Sequence, residues 1–113
     1  MTQTILGVCP SKSNCYRIGH KGLFKTDALK KYEDSFYMQC NLYRNKNITG
    51  RFEFRIDVYY PSDRSDLDNS LKVCLDSLQK CKAIENDRKC VKIIAQKFID
   101  KTNPRIEFTI IEA

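Results

Sequence analysis

The chain has 113 residues, of which 42% are hydrophobic, and its 20 basic and 14 acidic side chains give a formal net charge of +6. This length predicts one small domain with its own core, and no apolar run approaches the roughly 20 residues that cross a bilayer. The N-terminus lacks the charged start and long apolar stretch of a secretory signal, so we expect a cytoplasmic protein without membrane contact. The excess positive charge favours a polyanionic partner.

The first half of the chain predicts two strands and one helix. Residues 3–8 (QTILGV) form a short strand that ends before Pro10, and the polar, glycine-containing stretch 11–22 predicts a loop. Thr26 is a good N-cap for a helix that runs to about Tyr43. Residues 51–60 (RFEFRIDVYY) alternate between apolar and polar side chains, which is typical of a strand with one buried face.

The second half predicts one helix and two strands. Residues 66–81 carry a single apolar stripe and therefore predict an amphipathic helix. Residues 91–99 and 105–111 are rich in β-branched and aromatic residues, and KTNP between them predicts a hairpin connection. The order β-α-β-α-β-β over residues 1–113 indicates a single α+β domain, in which two helices cover a mixed or antiparallel sheet.

The six cysteines are expected to be reduced thiols rather than disulfide partners or zinc ligands. The chain has no CxxC pair and one histidine, so a zinc site is not indicated. Cys74 falls on the predicted buried face of the second helix, where a free cysteine acts as a small core residue.

Basic residues cluster near the first helix. Six of them, together with His20, occur between positions 12 and 31 against the single acid Asp27. A solvated basic face and a nucleic-acid contact surface both account for this pattern. Tyr16 and Phe24 lie among these residues, and Phe24 is expected in the core. The six basic residues are Lys12, Arg17, Lys21, Lys25, Lys30 and Lys31.

Acidic residues at the start of the second helix allow two interpretations. In PSDRSDLDNSLK, residues 61–72, Ser65 and Asp68 resemble a capping pair. Alternatively, Asp66 and Asp68 hold a metal ion together with Asp87 from the following loop, because carboxylate oxygens suit Mg²⁺ or Mn²⁺. Residue types and spacing alone leave both interpretations open.

The pattern DLDNSLKVCLDSL followed by ND resembles the RusA-type Holliday junction resolvases, which are small endodeoxyribonucleases. The positions that match are Asp66, Asp68, Asn69, Lys72, Asp76 and Asp87. Weaker similarity covers nearly the whole chain. The chain departs from the family pattern at Cys9, where a second proline is usual, at Asn14, and at Asn86, which replaces an acid.

The resemblance implies a Mg²⁺-dependent, structure-selective endonuclease that nicks four-way DNA junctions symmetrically during recombination and repair. It implies that Asp66, Asp68 and Asp87 bind Mg²⁺, with Mn²⁺ as a substitute, and that Lys72 assists cleavage. Asn69 and Asp76 would then support the site, while Tyr16 and the basic cluster would contact branched DNA. The family acts as a homodimer. The alternative is a non-cleaving DNA-binding protein with the same fold.

Overall fold

A computed structural model describes residues 1–10, 16–19 and 22–113. These ranges contain two helices and six strands. The strands are β1 (Gln3–Leu6), β2 (Tyr16–Gly19), β3 (Gly22–Lys25), β4 (Phe52–Tyr60), β5 (Cys90–Ile99) and β6 (Arg105–Glu112). The helices are α1 (Asp27–Gln39) and α2 (Asp68–Lys80), and a 3₁₀ turn (Asp87–Lys89) precedes β5.

Both helices pack into one core with a four-stranded mixed sheet. The strand order is β1-β6-β4-β5, with β4 parallel to β5 and antiparallel to β6. Phe36 of α1 stacks on Phe108 of β6 with ring centroids 5.8 Å apart, and Leu78 of α2 belongs to the same buried cluster. The predicted α+β class, with two helices on a mixed sheet, is confirmed.

Strand β4 matches its sequence pattern closely. Its even-numbered side chains from Phe52 to Tyr60 are at most 2% exposed, whereas Arg55 is exposed and Asp57 is half-buried. This burial follows from the strand period of two, because β4 lies between two other strands and the helices cover one face. The strand therefore carries Tyr60 to the edge of the core, just before the acidic segment.

The boundaries of the helices differ from the predicted ones. The Thr26 hydroxyl accepts a hydrogen bond from the Leu29 backbone N–H at 3.3 Å, which confirms it as an N-cap. Helix α1 ends at Gln39 rather than near Tyr43, because the backbone leaves the helical conformation at Cys40, where ψ is 57°. Within the described ranges, no helix has the length and apolar content needed to span a membrane.

The predicted loop 11–22 contains strand β2 and leads directly into β3. These two short strands pair antiparallel with Arg17 opposite Phe24 and Gly19 opposite Gly22. Gly22 has a φ of +111°, a backbone conformation that favours glycine. The prediction of a loop is therefore wrong over Tyr16–Gly19, and residues 11–15, 20 and 21 lie outside the described ranges.

The predicted hairpin between the last two strands is also wrong. Strand β4 lies between β5 and β6, so these two strands do not pair with each other. Helix α2 carries the chain across one face, which places β5 parallel to β4. Strand β6 then passes to the other side of β4, where Ile106, Phe108 and Ile110 are buried. The crossover leaves β5 at the edge of the sheet.

Candidate active site

The acidic residues at the start of α2 do not cap the helix. The N-cap position is Leu67, which has helical backbone angles, and no side chain makes a capping hydrogen bond there. Backbone bonds close the turn instead, since the Asn69 N–H donates to the Asp66 carbonyl and the Ser70 N–H donates to the Leu67 carbonyl, both at 3.2 Å. The interpretation of Ser65 and Asp68 as a capping pair is therefore wrong.

Asp66 and Asp68 are both exposed. Among the residues that the structure describes, neither carboxylate has a hydrogen-bond or ion-pair partner. Four carboxylate oxygens in one turn are thus open to solvent beside the N-terminus of α2. Negative charge is favourable at this end of a helix, and the same oxygens remain available to a cation.

Tyr60 holds in place the acidic turn, which is the turn at the start of α2 that carries Asp66 and Asp68. Its side chain is 1% exposed, and its hydroxyl donates to the Asp66 carbonyl at 3.2 Å. The hydroxyl also shares a hydrogen bond with Ser70 Oγ. Burial raises the pKa of Tyr60 to about 12, and the nearby Asp68 charge adds to this shift. The last residue of β4 thereby connects to the first turn of α2, a link that sequence reasoning missed although Tyr60 ends the alternating strand.

Lys72 joins two of the other predicted site residues. Its ammonium nitrogen lies 2.6 Å from Asp87 Oδ2 and 3.1 Å from Asp76 Oδ1. Hydrogen bonds to Asp87 and Asp76 raise the pKa of Lys72, so it stays protonated at neutral pH. Asp68, Lys72 and Asp76 occupy successive turns on one flank of α2. The lysine therefore links Asp87 to the helix flank that carries Asp68.

A hydrogen bond from the loop backbone to a side chain of α2 holds the loop that carries Asp87 against the helix. The Asp87 N–H donates to Gln79 Oε1 at 3.2 Å. The Asn86 side chain caps the 3₁₀ turn by accepting from the Arg88 N–H at 3.0 Å. Asn86 thus stabilises the turn that begins with Asp87. These contacts bring Asp87 beside the middle of the helix.

The predicted metal ligands are not gathered into one cluster. Over the described ranges, no group of three or more His, Cys, Asp or Glu side chains is arranged to hold a metal ion. Asp87 is engaged by Lys72 rather than facing Asp66 and Asp68 directly. The donor chemistry of these carboxylates suits a hard divalent cation. Their assignment as metal ligands stays a prediction.

The structure describes only part of the predicted DNA-contact surface. Lys30 and Lys31 are exposed on α1, and Lys25 pairs with Glu33 at 3.0 Å. Lys12 and Lys21 lie outside the described residues, as do the side chains of Tyr16 and Arg17 on β2. Phe24 was expected in the core but is 48% exposed on β3, and Ile18 on β2 is 86% exposed. The β2–β3 hairpin therefore presents apolar side chains next to the basic cluster.

Comparison with known proteins gives one family match. The family model described as Endodeoxyribonuclease RusA matches residues 8–111, which is nearly the whole chain. The match includes both helices, all of the main sheet except β1 and the end of β6, and every residue of the candidate site. No curated protein matches the chain.

Proposed function

Because this chain belongs to the endodeoxyribonuclease RusA family, we propose that it is a Mg²⁺-dependent endonuclease that resolves four-way DNA junctions by paired symmetric nicks. One observation carries the proposal. A lysine ammonium on the same helix flank as Asp68 holds Asp87 at 2.6 Å, and the exposed carboxylates of Asp66 and Asp68 have no protein partner among the described residues. As a DNA-acting enzyme, it would work in the cytoplasm.

Asp66, Asp68 and Asp87 are the residues that would hold the ion. Carboxylate oxygens are the ligands that Mg²⁺ and Mn²⁺ prefer. When bound, such an ion supplies a Lewis acid and an activated water for phosphodiester hydrolysis. Tyr60 would keep the Asp66 backbone in place, since its hydroxyl anchors that carbonyl to the core.

Lys72 is proposed to bind and stabilise the scissile phosphate. Its side chain is 65% exposed, so a phosphate oxygen can approach the ammonium from solvent. A protonated lysine stabilises negative charge that develops on the phosphoryl oxygens or on the leaving oxygen. Asp76 would orient Lys72, because the two side chains already meet at 3.1 Å across one helical turn. Asn69, half-buried in the first turn, is a further candidate for supporting the acids.

Branched DNA is the proposed substrate, and the basic cluster is proposed to contact its phosphates. Lys30 and Lys31 on α1 and the residues of the β2–β3 hairpin contribute positive charge, in line with the net charge of +6. Contacts of this kind release counterions, so the affinity for DNA depends steeply on salt concentration. Tyr16 is a proposed stacking residue at an opened junction.

A homodimer is part of the proposal, and strand β5 supports it. In the described sheet β5 pairs only with β4, which leaves one of its edges open. Exposed strand edges usually carry charges that block further pairing, but β5 exposes apolar side chains on both faces. A second copy of β5, related by a two-fold axis, would pair with this edge and cover these side chains. They are Val91, Ile93, Ile94, Phe98 and Ile99.

Cleavage of a synthetic four-way junction tests the proposed activity. The purified protein is incubated with the junction or with linear duplex, with Mg²⁺ or with EDTA, beside Asp68→Asn and the control Asp63→Asn. Asp63 is an exposed acid in the preceding loop that pairs with Lys97 instead of the site. We expect Mg²⁺-dependent paired nicks near the crossover, lost in Asp68→Asn and kept in the control. Junction binding without cleavage under Mg²⁺ and Mn²⁺ would favour the non-cleaving alternative.

The size of the protein in solution tests the dimer. Ile94→Lys places a charge in the middle of the β5 edge, and we expect light scattering to show a dimer for the wild type and a monomer for this variant. Met38→Lys is the matched control, because Met38 is 72% exposed on α1, away from the sheet edge. A monomeric wild type at micromolar concentration, or a dimer that survives Ile94→Lys, would refute the interface.

A further inference from the structure

Ile18 of strand β2 is the most exposed large apolar residue in the part of the chain that the structure describes. It is 86% exposed, compared with 72% for Met38 on α1. Phe24, on the neighbouring strand β3, is 48% exposed. Because both residues lie largely in water, they contribute little to the core, and their apolar surface is open to a partner.

Strands β2 and β3 form a two-stranded ribbon that is separate from the four-stranded sheet. Ile18 lies one residue from the end of this ribbon at which two glycines pair. At the other end, Lys25 contacts Glu33 of α1 at 3.0 Å, and Lys80 of α2 contacts the same carboxylate at 3.6 Å. The ribbon is thus anchored next to the helix that carries most of the candidate site, while Ile18 lies near its distant end.

The charge of the sequence around Ile18 indicates the kind of partner. Positions 16–31 contain five basic residues and one acid, Asp27, and Lys30 and Lys31 are exposed on α1. Two copies of such a segment would repel each other, whereas a polyanion would be attracted. A two-stranded ribbon also has a width that a DNA groove admits. DNA is therefore the partner that suits both the shape and the charge of the ribbon.

We propose that Ile18 is an apolar wedge that packs against base faces at the branch point of a four-way junction, and that it makes binding selective for branched over linear DNA. This inference rests on the proposed nuclease function. Isoleucine is one of the side chains that proteins insert between base steps, and the insertion costs free energy because the bases must unstack. At a branch point the stack is already interrupted, so this cost is smaller. The wedge therefore favours a junction over a duplex.

Binding of a four-way junction and of a linear duplex in EDTA tests the wedge without cleavage. The variants are Ile18→Thr and Ile18→Val, which form a matched pair. Threonine and valine are both β-branched and nearly equal in shape, so both suit a strand, but only valine is apolar. Since Ile18 is exposed, both variants should melt at the wild-type temperature.

We expect Ile18→Thr to bind the junction about threefold to tenfold more weakly than Ile18→Val, and to bind the duplex equally well. The slope of log affinity against log salt should keep its wild-type value in both variants, since no charge is removed. Equal junction affinities for the two variants, an equal loss of affinity for the duplex, or a changed salt slope would overturn the wedge.

Light scattering without DNA tests the other possible partner of Ile18, which is a second copy of the ribbon. We expect the same particle size for the wild type and Ile18→Thr, and a smaller particle for this variant would overturn the wedge in favour of a contact between copies. A wild type that cuts junctions, beside an Ile18→Thr variant with unchanged selectivity, would overturn the wedge alone. A wild type that neither binds nor cuts junctions would overturn the proposed function itself.

Discussion

Removal of the Tyr60 hydroxyl tests how the acidic turn is held. Tyr60→Phe keeps the ring in the core but deletes the group that bonds the Asp66 carbonyl and Ser70 Oγ. A buried hydrogen bond contributes about 0.5–1.5 kcal/mol, and an unsatisfied buried group costs about 1–3 kcal/mol. Ser70 is fully buried, yet its hydroxyl can turn to the Asp66 carbonyl four residues earlier. The expected loss is therefore about 1–2 kcal/mol in the free energy of unfolding, or about 4 °C in Tm for each kcal/mol.

Urea unfolding measures this loss, and Tyr59→Phe is the control on the same strand. The Tyr59 hydroxyl is half-buried on the other sheet face and lies 3.5 Å from Glu107, so its removal should cost less than about 0.5 kcal/mol. The double variant Tyr60→Phe/Ser70→Ala should be more stable than the sum of the single losses, by about 1 kcal/mol, because it removes both partners. Cleavage should slow by about tenfold to a hundredfold in Tyr60→Phe through misplacement of Asp66 and Asp68, with junction binding unchanged.

Two outcomes would refute this reasoning. Additive losses in the double-variant cycle would mean that the hydroxyls of Tyr60 and Ser70 do not interact. Unchanged cleavage in Tyr60→Phe, beside a measured loss of stability, would mean that the acidic turn keeps its position without the hydrogen bond.

Three further predictions concern Lys72, the titration of Tyr60 and the salt dependence of junction binding. Lys72→Met should lower cleavage at least a hundredfold while the free energy of unfolding changes by less than about 1 kcal/mol, because its ion pairs are largely exposed; a large loss of stability with intact cleavage would contradict this. Since the pKa of Tyr60 is raised to about 12 from an ordinary value of 10.0, the stability that its neutral form contributes should be fully present below pH 10 and lost as the pH rises towards 12. Circular dichroism melts over this range should show a shallower decline in Tyr60→Phe than in the wild type. Junction affinity should fall linearly with log salt concentration, and an affinity that does not change between about 0.05 and 0.2 M salt would argue against phosphate contacts.

Local patterns predicted the central elements of the fold well. The alternation in residues 51–60 predicted β4 because its two faces meet different surroundings, core on one side and solvent on the other. The apolar stripe in residues 66–81 predicted α2, and Cys74, Leu75 and Leu78 from that stripe are indeed buried. In these segments the buried face repeats with the period of the strand or helix, so the order of apolar and polar residues is enough to predict the element.

The wrong predictions concern the pairing of β5 and β6, the strands β2 and β3, and the first turn of α2, where local sequence patterns do not determine the structure. A five-residue connection between β5 and β6 is typical of a hairpin, but the crossing of α2 places β5 on the far side of β4. The strands β2 and β3 have four residues each, and the apolar side chains of Ile18 and Phe24 on them are exposed, so these apolar residues do not mark a buried face. Ser65 and Asp68 have a capping spacing, yet the helix begins one residue after Leu67 and closes its first turn with backbone bonds.

In the candidate site, the sequence predicted the arrangement of residues within α2 but not the contacts between separate elements. The register of Asp68, Lys72 and Asp76 on one flank of α2 could be read from the sequence, because residues four apart share a helix face. The contact of Asp87 with Lys72 depends on a loop fixed by Gln79 and Asn86. The links through Tyr60 and Glu33 join separate elements, and no local pattern indicates them.

Binding of a divalent cation to the wild type and to single Asp→Asn variants tests most directly whether Asp66, Asp68 and Asp87 form one metal site. Mn²⁺ binding is measured by calorimetry or paramagnetic resonance in the absence of DNA, with Asp63→Asn as the control. We expect each of the three variants to bind the ion at least about tenfold more weakly than the wild type, because each has lost a charged ligand, and we expect the control to bind normally. Wild-type affinity in Asp87→Asn would contradict it.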